Sequence, residues 1–146
     1  MGAEDTYLEL AVGPFALALA AQRVLLVLQD VRLAPTISVH GAEVPFADLA
    51  RVFGRGPRAE VPFMIAVEHE RVVVGIGVDR VGHLRRRDAP TLHHVPAFGL
   101  TTPGLFAGAV RDGERLLLVL EPGALVALTR DRAGNLTVAE GGRYNP

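Results

Sequence analysis

The residues that could do chemistry cluster in "ISVHGAEVPFADLARVFG" (residues 37–54), which places Ser38, His40 and Asp48 within a short span. With Asp79 as an alternative acid, these are the residue types of a nucleophile–base–acid triad. Ser38 and His40, two positions apart, share one face of a strand, a juxtaposition that any sheet provides. No G-x-S-x-G elbow surrounds the serine, and no glycine-rich turn beside it supplies oxyanion donors. The five histidines are His40, His69, His83, His93 and His94. Adjacent His93 and His94 point apart in an extended chain, and the others lack the spacing of converging metal ligands. The acids Glu43, Asp48, Asp79 and Glu121 fall near element ends, where carboxylates commonly cap backbone N–H groups or close turns. Neither a metal nor a cofactor is expected. A small hydrolase using His40 and Asp48 is the enzymatic alternative.

Two basic stretches could meet phosphate. "GRGPR" (residues 54–58) lacks the Lys-Ser/Thr of a P-loop. "LRRRD" (residues 84–88) is a basic triplet without interleaved aromatics. The formal net charge is −1, so no overall field draws the chain to nucleic acid or an anionic membrane. The chain has no Cys, which removes disulfides, thiolate catalysis and Cys-based zinc sites.

The elements that must position these residues are short apolar runs broken by Gly, Pro and Asp. With 146 residues, 49% hydrophobic and 21% charged, the expectation is one domain with a real core. The longest membrane-span candidate, residues 8–28, is interrupted by Glu9, Gly13-Pro14, Gln22 and Arg23. The acidic start lacks the basic region of a secretory signal, so the expected location is cytoplasmic, without direct membrane insertion.

"TYLELAV" and "FALALA" alternate across Gly13-Pro14 and read as a hairpin. "RVLLVLQ" is a continuous apolar strand, followed by "TISVH". Phe46, Leu49, Ala50 and Phe53 fall at helical spacing, predicting a short helix after Pro45 that Gly54 stops. Residues 61–81 predict a hairpin turning at His69-Glu70, with Gly75 and Gly77 marking a strongly coiled second strand. Residues 83–104 read as a long loop, and "LFAGAVRDGERLLLVLE" as a hairpin through "RDGE". "PGALVAL" fits a last helical turn or another strand, and residues 129–146 fit an extension with a hairpin at Ala133-Gly134-Asn135 and a loose tail. Many short strands without a β-α rhythm predict a mainly β barrel or sandwich.

"RVLLVLQDV" carries more large aliphatics than one face of a small barrel needs, so its second face requires a cover or a partner. The order of motifs then resembles the CheW-like family, the adaptor proteins of bacterial chemosensory arrays. Gly41, Pro45, Asp48 and Leu49 match its N-L-R-G-x-x-x-P-x-x-D-L motif; Gly75, Val78, Asp79 and Val81 match G-x-x-V-D-x-V. Gly108, Gly113 and the strand Leu116 to Leu120 match the last motif, so the resemblance spans about residues 7 to 128.

The resemblance implies one domain over residues 1–146. Its fold is mainly β: two intertwined five-stranded SH3-like barrels with one or two short helices and a hydrophobic groove. It implies a non-enzymatic, receptor-associated adaptor. Its partners are the regulatory domain of a CheA-type histidine kinase, the cytoplasmic tip of a methyl-accepting chemoreceptor, and other CheW-like domains. Partner-contacting positions are implied at Leu26, Leu28, His40 and Val44, and structural ones at Gly41, Pro45, Asp48, Gly75 and Asp79. The chain departs from the pattern at His40, where the family has Arg, at Leu26, where it has an acid, and in a shortened connection over residues 29–40. These departures predict an adaptor that keeps only some of the usual contacts. The alternative within this class is a self-associating array subunit that does not activate kinase.

Overall fold

The computed structural model describes residues 6–86 and 104–139. Ten strands form two five-stranded sheets. β1 (Thr6–Val12) and β2 (Phe15–Ala20) pair antiparallel across Gly13-Pro14, with Gly13 at φ 55°. They join β8 (Arg80–Arg86), β9 (Phe106–Asp112) and β10 (Arg115–Leu120) in the order β8-β1-β2-β10-β9. The second sheet is a single stretch of chain inserted between those parts: β3 (Val24–Arg32), β4 (Thr36–Val39), β5 (Ala42–Asp48), β6 (Glu60–His69) and β7 (Val72–Val78), in the order β3-β6-β7-β5-β4. Each sheet contains one parallel contact, β2 with β10 and β5 with β7. The two sheets are therefore interlocked through the chain, because β3 to β7 lie in sequence between strands of the first.

Three apolar clusters explain the continuous hydrophobic runs. Ala18, Val110, Leu117 and Val119 fill the inner face of the first sheet. Val31, Val44, Phe46, Val61, Met64 and Ala66 fill that of the second. Between the sheets lies a larger shared core containing Leu10, Leu17, Leu19, Ile65, Ile76 and Leu118, among others. Strand alternation sends neighbouring side chains to different clusters: in β10, Leu117 and Val119 face one way and Leu118 and Leu120 the other. A strand buried on both faces has no reason to alternate polar with apolar.

Several elements differ from the sequence expectations. Phe46 belongs to β5, paired with Gly75 of β7, and only Leu49–Phe53 is helical, as a 3-10 helix. The 3.6-residue spacing there is a coincidence of a strand end followed by a tight turn, and parallel pairing to β7 wins. The β6–β7 turn lies at Glu70-Arg71, one residue later than expected; both have positive φ, 51° and 69°, as a two-residue type I′ hairpin requires. The expected loop from His83 begins with a strand: β8 runs to Arg86, an edge strand on which arginines are readily accommodated. The rest of that loop, with His93 and His94, lies outside the described residues.

The hairpin expected at Ala133-Gly134-Asn135 is replaced by α1 (Pro122–Ala139). Pro122 suits the first helical position, Glu121 Oε1 accepts the Gly123 N–H at 2.9 Å, and Leu125, Val126 and Leu128 enter the shared core over β5, β6 and β7. Capping and burial at its start outweigh the turn signal further along. Residues 140–146 lie outside the described residues.

Gly75 and Gly77 mark close approach of β7 to its neighbours. A Cβ on Gly77 would lie 2.6 Å from Val61 Cγ1, a stiff β-branched side chain; one on Gly75 would meet the flexible Met64 Sδ at 3.0 Å. Gly77→Ala is therefore expected to cost about 1–3 kcal/mol, and Gly75→Ala less. Urea denaturation of both variants checks the order; a larger loss at Gly75 would contradict it.

Candidate functional site

No cluster of three or more metal-ligating side chains occurs among the described residues. The Ser38–His40–Asp48 arrangement is not assembled either. His40 and Gly41, at φ 49° and 83°, form the two-residue turn between β4 and β5. Asp48 ends the same extended β5, about 20 Å away at ~3.3 Å per residue. Asp48 is buried and fully engaged, so it is no base for His40, which corrects the hydrolase alternative.

The engagement of Asp48 is the most ordered polar feature of the described chain. Its Oδ1 accepts the Ala50 N–H at 3.0 Å, capping the 3-10 helix. Arg58 grips it bidentately, Nε to Oδ2 at 2.7 Å and Nη2 to Oδ1 at 2.9 Å. The remaining nitrogen, Nη1, donates to Asp79 Oδ1 at 2.6 Å. Asp79 lies where the chain passes from β7 of the second sheet to β8 of the first, and its Oδ2 accepts the Gly13 N–H at 2.6 Å. Arg58 thus joins two motif aspartates to the β1–β2 turn. This corrects the reading of "GRGPR" as a phosphate hook, since its last arginine is committed to carboxylates within the chain.

The bonds to Asp48 are the largest influence on the Arg58 guanidinium; burial opposes them, and the net effect raises its pKa. Burial pushes the Asp79 carboxyl up, but the Gly13 N–H bond and the bond and charge of Arg58 outweigh it and hold the group below its usual range. A second carboxylate, Glu9 on β1, accepts from Arg85 Nε at 3.0 Å and pairs with Arg115 Nη1, tying β1 to β8 and β10. The Arg115 bond is the main cause that keeps its pKa low, against burial. Beside it lies a cavity of about 300 Å³ lined by Glu9, Phe15, Arg80, Val81 and Arg115, among others.

The other feature is apolar. β3 is the edge strand of the second sheet, and Leu25, Val27 and Leu28 are 48%, 38% and 38% exposed. Exposed side chains of this size on both faces of an edge strand form an unusual surface. Leu28 thus lies at the surface. Leu26 is half-buried against the second sheet's inner cluster, and Val44 is 4% exposed within it. Val44 is a core residue and no contact surface, because β5 directs it inward. Leu25 and Val27 form the face of the apolar run opposite Val24, Leu26 and Leu28, and the surplus of aliphatics marks that one of the two faces needs a cover. His40 stands exposed at its hairpin tip, on the strand pair at the opposite edge from β3.

A family model of the CheW-like domain matches residues 23–130. The chain belongs to the CheW-like family. Its two curled sheets are the two SH3-like barrels of that fold. The crystal structure of the scaffolding protein TtCheW from Thermoanaerobacter tengcongensis is similar at a TM-score of 0.67 and 20% identity, covering 81% of this chain and 89% of that one. A search of curated proteins gives no match. In this CheW-like chain Asp48 and Asp79 are the motif aspartates, and Arg58, outside every motif quoted above, is their common partner.

Asp79 gives a signed pH expectation. With its folded pKa depressed, it adds stability above the unfolded value and gives that up as pH falls through the folded value, below about pH 4. The melting temperature of Asp79→Asn should therefore start lower at pH 7 and fall less between pH 6 and pH 3 than that of the native chain. Parallel curves would contradict this. Arg58→Ala, which strands a carboxylate only 2% exposed, should cost about 3–5 kcal/mol in denaturant unfolding. Arg85→Ala, which leaves the part-buried Glu9 its pair with Arg115, should cost less, about 1 kcal/mol.

Proposed function

We propose that this chain is a non-enzymatic adaptor of a bacterial chemosensory system, coupling the cytoplasmic tip of a methyl-accepting chemoreceptor to the regulatory domain of a CheA-type histidine kinase. One observation carries it: Leu25, Val27 and Leu28 stand exposed on the edge strand of a CheW-like fold, Val27 and Leu28 on its opposite faces. Such apolar side chains lose water-exposed area only when another surface covers them, at about 25 cal/mol per Å². The description of TtCheW as a scaffolding protein supports the same reading. His40 adds a constraint, because an imidazole offers fewer donors than the guanidinium the family pattern carries there. Contacts through that hairpin tip are therefore reduced relative to those along β3.

A free strand edge also suits a second copy of the chain. The self-associating array subunit is thus the second reading, favoured by the position of β3 at the end of its sheet. Sedimentation of the chain alone separates the two, since an adaptor stays monomeric at concentrations where it binds partners.

Leu28→Glu should weaken binding to the kinase regulatory domain or the receptor tip at least tenfold, about 1.4 kcal/mol, with the melting temperature unchanged. Leu26→Glu should instead lower the melting temperature, because that side chain leans on the inner cluster. Titration calorimetry with each partner separately, beside thermal melts, reads both. Full affinity in folded Leu28→Glu would remove β3 from the interface.

A further inference from the structure

We infer that Arg58 is a positioning residue that fixes the first sheet onto the second, setting the geometry of the surface along their seam. Arg58 lies in the irregular stretch between the 3-10 helix and β6, and it stands on no strand of its own. From there its guanidinium completes one continuous path: Ala50 N–H to Asp48, Asp48 to Arg58, Arg58 to Asp79, Asp79 to the Gly13 N–H. The path begins on the second sheet and ends at the β1–β2 turn of the first. A second anchor runs beside it, since the Asp79 N–H donates to Ala11 O at 3.0 Å.

The turn reached by this path is held from further sides. A Cβ on Gly13 would lie 2.5 Å from Arg55 Nη1, so the guanidinium of Arg55 covers the turn. Two residues on, Phe15 stacks on Phe53 with centroids 4.4 Å apart, and Phe53 meets Phe106 at 6.1 Å. Phe15 and Phe106 belong to the first sheet, and Phe53 to the 3-10 helix that follows β5. Phe15 remains 39% exposed, so this aromatic seam is part of the molecular surface.

A shared apolar core lies between the sheets, but hydrophobic burial is non-directional and tolerates sliding. A planar fork that satisfies one carboxylate at two points and a second at one point is directional. A lysine ammonium keeps the charge but not the fork, so it should hold the sheets together without fixing their angle. The competing role is local: Arg58 would merely finish the cap of the 3-10 helix and leave the sheets unaffected. If the adaptor reading holds, the angle between the sheets governs how partners on either one are presented to each other.

The absence of native cysteine makes a direct test available. Ser38→Cys on β4 and Leu116→Cys on β10, both exposed, place one spin label on each sheet. Double electron–electron resonance should give a narrow distance distribution in the otherwise native chain. It should also do so in Glu9→Gln, which cuts a pair within the first sheet. In Arg58→Lys, which loses the fork but keeps the charge, and in Asp79→Asn, which keeps the shape but weakens the single bond to Arg58, the distribution should be roughly twice as wide or displaced. Circular dichroism should show unchanged strand content. Native distributions in both clamp variants, even with a lower melting temperature, would reduce Arg58 to a local cap. If Arg58→Lys does not fold, Asp79→Asn decides alone. No partner enters the measurement, so its outcome is separate from that of the adaptor reading.

Discussion

One guanidinium shared between two carboxylates orders the polar structure of this chain. Asp48 closes β5 and starts the 3-10 helix; Asp79 sits at the passage from the second sheet to the first; Arg58 holds both. An acid as buried as Asp48 is tolerable only because its oxygens are satisfied by a backbone N–H and a charge-assisted fork. The same satisfaction removes it from chemistry. A carboxylate with both oxygens committed to a guanidinium is a poor general base, and the nearest histidine in sequence is at the far end of an extended strand.

Around that clamp the apolar architecture follows from strand alternation. Two sheets that each curl around their own cluster and also pack against one another need strands that are apolar on both faces. β6 from Met64 to Val67 and β10 from Leu117 to Leu120 meet this need. β3 shares the composition, but as an edge strand it has only partial cover, which leaves Leu25, Val27 and Leu28 at the surface. These exposed side chains are thus the same apolar strand chemistry as the interior, placed where the fold runs out of protein to cover it.

How much of this was legible varied with the range of the interaction. Hairpins at Gly13-Pro14 and Gly113-Glu114 were readable because alternation and turn chemistry are local. The helical spacing of Phe46, Leu49, Ala50 and Phe53 was local too, yet misleading, since pairing of β5 with the distant β7 decided the backbone. β8 was hidden because its arginines resemble a solvated loop, and α1 because Gly134-Asn135 carries a turn signal that its buried first turns override. The family resemblance implies a contact at Val44, but it lies inside, because β5 turns that face toward the second sheet's cluster. "GRGPR" draws attention to Arg58 as a phosphate hook, but nothing signals its carboxylate partners: they lie 10 and 21 residues away, and neither separation has a sequence signature.

An adaptor of the proposed kind must hold two different proteins at once. Sedimentation velocity of the purified chain with the kinase regulatory domain, with the receptor's cytoplasmic tip, and with both together reads this. Coupling requires a species containing all three components in the mixture. Displacement of one partner by the other, or no complex with either, would contradict it.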